Sequence, residues 1–384
     1  IVLRGEGEES LREVLAVMTA QPDALKRVGS PLAEVAGLSY RHGESLHHTP
    51  ARPVLKNLDD LPLPAWDLVD VERYRRLWRQ HHGYYSVNMV TTRGCPYQCN
   101  WCAKPIWGQR YNVRSPQNVI AELRWLKTQL QPDHIWFADD IFGLKKGWVQ
   151  EFAALVEAEG LRTPFKCLSR ADLLLDEDTI QALARAGAEI VWMGAESGSQ
   201  KILDAMDKGT RVEEIYAACA KLKAHNIRAA FFLQFGYPSE TRADIQKTIQ
   251  MVRDCLPDDI GISVSYPLPG TKFYERVKHD LSEKTHWQDS ADLAMLYQGP
   301  YPTAFYRQLH TVIHKDYRAR RTWARLRAGK LSLYQRHAWR ELAAMLYHRL
   351  SLPRAHARLN KLARQPHRPT QARPLPEDAL SAPH

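Results

Sequence analysis

The sequence predicts an α/β protein built on a parallel sheet. Between Tyr85 and about Pro300, strand-like apolar runs alternate with helical patterns six times. Alternation of this kind implies right-handed crossovers and a site at the carboxyl ends of the strands. A cluster of cysteines follows the first run, where such a site would lie. The composition fits a packed globular chain: 44% hydrophobic and 25% charged residues over 384 positions, long enough for two or three domains. No apolar run reaches the roughly eighteen residues that a membrane-spanning helix needs.

The chain opens with IVLRGEGEESLREVLAVMTA (1–20), which reads as a strand end, a glycine turn and an amphipathic helix. Leu11, Val14, Leu15 and Met18 fall at helical spacing, and Gly5 and Gly7 permit the turn. Such a turn can aim backbone N–H groups at a phosphate, although a plain βα connection explains the spacing more simply. The pattern starts in mid-course at Ile1 rather than Met, so an N-terminally incomplete sequence is expected. Residues 21–84 read as a linker, because Pro50, Pro53, Pro62 and Pro64 argue against long regular elements.

The six units follow. Strands are predicted over 84–92, 134–140, 164–170, 189–197, 228–236 and 259–267. Helices are predicted over 115–130, 147–159, 177–187, 199–206 with 212–225, and 241–255. Residues 301–365 read as a basic helical region, and the proline-rich stretch 366–384 as disordered.

The cysteine stretch is TTRGCPYQCNWCAKPIW (91–107), with Cys95, Cys99 and Cys102 spaced C-x3-C-x2-C. Thiolates are soft ligands that suit zinc and iron–sulfur clusters. A closed zinc site needs four ligands, and no fourth is near: Cys167 stands alone 65 residues on, and no His lies between Cys102 and His134. Three ligands for a four-iron cluster leave one iron open to a small molecule. An incomplete zinc site and three unrelated thiols are the rival explanations. The pattern, with Trp101 before the last cysteine, resembles the radical S-adenosylmethionine (SAM) enzymes. That resemblance implies a [4Fe–4S] cluster held by Cys95, Cys99 and Cys102, whose open iron chelates the amino and carboxylate groups of SAM. Reductive cleavage then gives methionine and a 5′-deoxyadenosyl radical. It also implies a partial, TIM-like (β/α)6 barrel over 85–300, open on one side.

The strand ends are the next place to look. Ala138-Asp139-Asp140 stands where the family usually has Gly-Gly-Glu beside the SAM amino group; the position matches and the residue types do not. Asp139 or Asp140 could instead cap the following helix. Ser169-Arg170 ends the third strand, and the guanidinium could pair with the methionine carboxylate; an ion pair with Asp172 or Glu196 is an equal alternative. Glu196, in GAESGS, resembles the family's Gly-x-Glu-Ser-Gly segment and is expected to accept the ribose hydroxyls, with Gly194 and Gly198 allowing close approach. Gln234, in QFGYPSET, opens the loop that resembles the adenine-packing segment. PLPGT (267–271) resembles a Pro-Gly-Thr turn that shapes the barrel mouth. A primary carbon radical attacks almost any nearby C–H bond, so a site of this kind must exclude water and fix its target.

The net charge of +10 is uneven. Residues 301–384 hold 17 Lys+Arg against 4 Asp+Glu, a net +13, and the first 300 residues hold 36 against 39, a net −3. In YQRHAWRELAAMLYHRL (334–350), Trp339, Leu342, Ala343, Leu346 and Leu350 share one face. That face is expected to cap the open side of the barrel and leave a basic face in solvent, although the basic face could meet an acidic partner, nucleic acid or an anionic membrane. His310 and His314 are spaced for a metal but lack a partnering acid, and read as ordinary helix residues.

The GEGE turn resembles the last βα unit of the Rossmann-like cobalamin-binding domain that precedes many radical SAM domains. LDDLPLPAWDLVDVERY (58–74) resembles the linker between the two. That domain's Asp-x-His-x-x-Gly motif does not occur in these residues, so cobalamin is expected in a longer parent and is uncertain for this chain. The resemblance implies cobalamin-dependent methylation of an unactivated carbon in a small molecule, with a flavodoxin or ferredoxin as reductant. The alternative branch is the anaerobic magnesium-protoporphyrin monomethyl ester cyclase, which the continuation CAKPIWGQRYNVRSP resembles. An RNA-modifying enzyme is a further alternative, but there is no second cysteine trio and no β-barrel pattern after 300, so nucleic acid is not the expected partner. A metal-binding scaffold without activity is the last. Clustered cysteines suit a reducing cytoplasm.

Overall fold

Eleven strands and eleven α-helices are described by a computed structural model covering residues 1–24, 30–102, 109–281, 293–331 and 336–365. In chain order they are β1 (Val2–Leu3), α1 (Glu8–Ala20), β2 (Leu38–His42), β3 (Ser45–His48), α2 (Val71–His82), β4 (Ser86–Met89), β5 (Thr92–Arg93), β6 (Asn112–Val113), α3 (Pro116–Gln129), β7 (His134–Phe137) and α4 (Trp148–Ala158). Then come β8 (Phe165–Ser169), α5 (Glu177–Ala186), β9 (Ala188–Glu196), α6 (Gln200–Ala205), α7 (Val212–Ala224), β10 (Arg228–Phe235), α8 (Arg242–Cys255), β11 (Asp259–Val264), α9 (Lys272–Val277), α10 (Thr303–Arg327) and α11 (Arg336–Ala363).

The six predicted strands pair in the order β11-β10-β9-β8-β7-β4, and every recorded pairing among them is parallel. β4 and β11 are the two edges, not paired to each other among the described residues, so the sheet is open on one side. Period-two alternation sorts its side chains. Val87, Met89, Ile135, Phe137, Phe165, Cys167, Val191, Met193, Phe231 and Leu233 belong to the buried core shared with the helices. The opposite parity is less buried. There Asn88 pairs in register with Trp136, and Trp136 with Lys166, whose ammonium lies 3.7 Å from the Trp136 ring centroid. One layer up, Trp192 stacks on Phe232 at 4.6 Å.

The amino-terminal residues depart from the expected boundary at 20. β1 pairs antiparallel with β2, and β2 with β3, where a Rossmann-like unit would use a parallel neighbour. Val14 of α1 packs with Ala24, Leu32, Val35, Leu38 and Tyr40, so the first part of the expected linker belongs to a small packed module. Up to Pro64 the elements that form are short, but the end of the expected linker holds α2, a helix of 12 residues.

At the other end, α10 and α11 make a helical hairpin. Phe305, Tyr306, Leu309, Val312 and Ile313 of α10 join the main core, and Arg253 of α8 pairs with Asp316 at 2.7 Å. The face of α11 expected to pack is the one left in solvent: Trp339, Leu346 and Leu350 are 61%, 56% and 78% exposed, and Ala343 is exposed with them. The buried positions are Ala338, Met345, Ala355 and Leu359. Alanines let the two helices approach closely, which the bulkier face does not. The His310 and His314 rings lie 4.2 Å apart, tilted at 52°, with no third metal-ligating group among the described residues. The disorder expected for 366–384 lies outside the described residues.

Candidate active site

The cysteine loop leaves the carboxyl end of the first sheet strand, β4, as its position in the sequence predicts. Its base is stapled by the β5–β6 ribbon, in which Thr92 pairs with Val113 and Arg93 with Asn112. Asp139, at the end of β7, holds the start of that ribbon. Its buried carboxylate accepts from Thr91 N–H at 2.7 Å, Thr92 N–H at 3.0 Å and the Thr91 hydroxyl. Burial pushes the Asp139 pKa up to about 6, against the pull of those donors. The helix-cap alternative for Asp139 and Asp140 is corrected: the next helix, α4, starts at Trp148 with Gly147 as its N-cap. A loop intervenes, and Asp139 is turned to the cysteine ribbon instead. Asp140 is exposed beside it.

Cys95, Cys99 and Cys102 are half-buried and in no disulfide. They share one loop but are not gathered at metal-ligand distance: no trio of Cys, His, Asp or Glu converges that way among the described residues. The fit to a cluster therefore rests on the donor chemistry, three soft thiols with no fourth ligand, and on how firmly the loop is pinned. The pin is Asn100, which the sequence reading missed. It is buried at 2% exposure. Its side-chain N–H groups donate to Ala205 O at 2.8 Å and Asp207 Oδ2 at 2.9 Å. Its Oδ1 accepts from the Tyr237 hydroxyl at 2.9 Å. Its backbone N–H donates to Met206 O at 3.0 Å, and its carbonyl accepts from Phe273 N–H at 2.9 Å. One asparagine between two cysteines thus joins the ends of α6, β10 and the start of α9.

Arg170 takes the ion-pair role. It pairs with Asp172 at 2.9 Å, donates to Lys208 O at 3.1 Å and Thr210 Oγ1 at 3.0 Å, and stacks 3.5 Å from the Tyr97 ring centroid. Tyr97 lies between Cys95 and Cys99, so Arg170 braces the loop. Glu196 pairs with a different cation, Lys208, at 3.0 Å, and both are buried. Glu196 ends β9 with a φ of +54°, a left-handed backbone uncommon for a side-chain-bearing residue. Gly194 makes room for the pair: a Cβ there would lie 2.5 Å from Glu196 Oε1 and 2.6 Å from Lys208 Nζ. Gly198 serves packing, since a Cβ would meet Lys247 O at 2.5 Å. Gln234 is buried and donates to Ser265 Oγ at 3.0 Å. Lys208 was the second omission; its only signal is the MDKGT break between α6 and α7.

One more contact shapes this rim. Arg93, two residues before Cys95, donates to the buried carboxylate of Glu6 at 3.0 Å and also pairs with Glu8. The GEGE turn of the amino-terminal module is therefore docked on the base of the cysteine loop. By contrast, a cavity of about 700 Å³ lined by His134, Lys166, Trp192 and Arg228 opens at the amino ends of the strands, the opposite end of the sheet.

Residues 89–252 match the Radical SAM superfamily. The chain contains a radical SAM domain. Such a domain implies a [4Fe–4S] cluster and SAM. An uncharacterised methyltransferase of Pyrococcus horikoshii is 29% identical over 289 residues, 75% of this chain and 60% of that protein. The anaerobic magnesium-protoporphyrin IX monomethyl ester cyclase of Synechocystis is 26% identical over 274 residues, 71% of this chain and 52% of that protein. The chain thus spans about half the length of the curated relatives it matches. In fold it resembles the radical SAM methyltransferase TsrM of Kitasatospora setae, solved with cobalamin and a [4Fe–4S] cluster, with a TM-score of 0.59, 20% identity and coverage of 72% of this chain and 54% of that one.

Proposed function

We propose that this chain is the radical SAM portion of a cobalamin-dependent enzyme that methylates an unactivated carbon of a small-molecule substrate. The observation that carries this reading is the docking of the GEGE module on the cysteine loop through Glu6, Glu8 and Arg93. A cobalamin domain continuing that module would stand over the rim where the radical is made. Exposed Leu11 and Leu15 on α1, with Ile1 and Val2, offer it an apolar face. The methyltransferase relative and the TsrM-like fold support the same class.

In this reading Cys95, Cys99 and Cys102 hold the cluster, which supplies the electron that cleaves SAM. Lys208 and Glu196 present one cation and one carboxylate to the SAM carboxylate and ribose. Gln234 serves the adenine loop, and Asp140, an exposed carboxylate, serves the amino group. Asp139 and Arg170 position the loop. A flavodoxin- or ferredoxin-type protein delivers the electron in a reducing cytoplasm.

The similarity to the Synechocystis cyclase favours a second reading, oxidative ring formation on a tetrapyrrole, built on the same radical site. RNA modification is the less favoured alternative, since the described residues after 300 are helices rather than a β-barrel.

Anaerobic reconstitution tests the core of this. About four irons per chain and SAM-derived 5′-deoxyadenosine are expected, and Cys99→Ala should lose both. One tightly held zinc and no SAM cleavage would end the reading. Failure of the longer parent to bind cobalamin would remove the methyltransferase assignment while leaving the radical site.

A further inference from the structure

We propose that the α10–α11 hairpin is a peripheral anchor that lays the exposed stripe of α11 into the interface of an anionic lipid bilayer. The stripe is Trp339, Ala343, Leu346, Tyr347 and Leu350, spaced at i, i+4, i+7, i+8 and i+11 on one face. Its four large residues are 56–78% exposed: Trp339 61%, Leu346 56%, Tyr347 61% and Leu350 78%. This exposure is not a want of packing partners, because α11 already buries Ala338, Met345, Ala355 and Leu359. The helix thus carries two apolar faces, one for the protein and one turned outward. The stripe ends just before Pro353, which interrupts the helical hydrogen bonding.

Charge selects the occupant. Residues 301–365 hold 15 Lys+Arg against Asp316 and Glu341 alone, a net +13. Both acids are already paired, Asp316 with Arg253 and Arg320, and Glu341 with Arg325, so neither is available to repel an anionic surface. Arg340 and Arg349 are exposed within the same stretch of α11, and Lys315 of α10 lies 4.8 Å from the Tyr347 ring centroid. An apolar centre with cations around it, and a Trp and a Tyr among its residues, is the composition of a helix lying in a lipid interface. Nucleic acid would call for cations at the centre, where Leu346 and Leu350 offer nothing to a phosphate. A second copy would bring +13 against +13. No helix among the described residues is long and apolar enough to cross a membrane, so the hairpin would lie on the bilayer rather than span it.

Co-sedimentation of the whole chain with vesicles tests the proposal. Binding to mixed phosphatidylcholine–phosphatidylglycerol vesicles, much stronger than to pure phosphatidylcholine, is expected. Leu346→Glu with Leu350→Glu should weaken that binding about ten-fold or more. Both positions are exposed, so the fold and SAM cleavage should survive, and the latter checks that the variant is intact. Arg340→Gln with Arg349→Gln should weaken binding to the anionic vesicles only. Equal binding to both vesicles, undiminished binding by the leucine variant, or a stripe found buried in a homodimer or against an acidic protein without vesicle binding would each overturn the proposal.

Discussion

Arg93 and the buried Glu6 form a part-buried ion pair at 3.0 Å across 87 positions of sequence, and it joins the amino-terminal module to the base of the cysteine loop. Breaking one partner of a buried pair leaves an uncompensated charge. Arg93→Met should therefore cost about 3 kcal/mol. Hydrogen exchange locates the loss: amides of α1 should exchange faster, while those of β9 and β10 keep their protection. Unchanged exchange in α1 would show that the module is held by other contacts.

Asp139 makes a second prediction. Its carboxylate accepts three hydrogen bonds from Thr91 and Thr92 at the start of the ribbon. Asp139→Asn keeps the shape but turns an N–H group toward donors. A loss of about 2 kcal/mol follows from the unsatisfied groups. Iron retained per chain after anaerobic desalting should fall in step, with no cysteine changed. Normal iron retention in a destabilised variant would separate the ribbon from the cluster.

Glu240 supplies a pH signature. Its carboxyl is 2% exposed; one oxygen accepts from Gly236 N–H at 2.7 Å and the other has no hydrogen-bond partner among the described residues. Burial pushes its pKa up to about 8 from 4.5. The unfolded chain ionises first, so the stabilising effect of this protonated group is full below about pH 4.5 and is lost as pH rises toward 8. Glu240→Gln removes that titration. Urea unfolding of the two proteins should diverge between pH 5 and 8 in favour of the variant, by on the order of 4 kcal/mol at the alkaline end. Parallel pH profiles would mean that Glu240 ionises normally.

What could be seen in the sequence was local. The six β/α units were legible because period two and period 3.6 are visible along the chain; even the break between α6 and α7 showed. Cys95, Cys99 and Cys102 were legible as a chemical set. Asn100 was not, because its partners Ala205, Asp207, Tyr237 and Phe273 lie more than a hundred residues away and no spacing announces them. Lys208 was missed although Glu196 is only 12 positions away, since no helix or strand period relates the two across the α6 connection. In α11 the periodicity revealed an apolar face correctly but could not say which of two faces the protein would use.

The Glu196–Lys208 pair allows structural and ligand-binding roles to be told apart. The two groups meet at 3.0 Å, both buried, over a glycine that leaves them just enough room. If the pair only holds β9 to the loop before α7, then each single change, Glu196→Gln or Lys208→Met, should destabilise the protein by about 3 kcal/mol. The double variant should then recover most of that loss, because no charge is left without its partner. If the pair also presents a carboxylate and an ammonium to SAM, the double variant recovers stability but not binding. Denaturant unfolding and equilibrium dialysis with SAM on the four proteins complete the cycle. Recovery of stability with SAM affinity still at least ten-fold down is the expected result, since a lost charge-assisted contact is worth about that much. Full recovery of both would reduce the pair to a structural clamp, and the carboxylate of SAM would then need another cation.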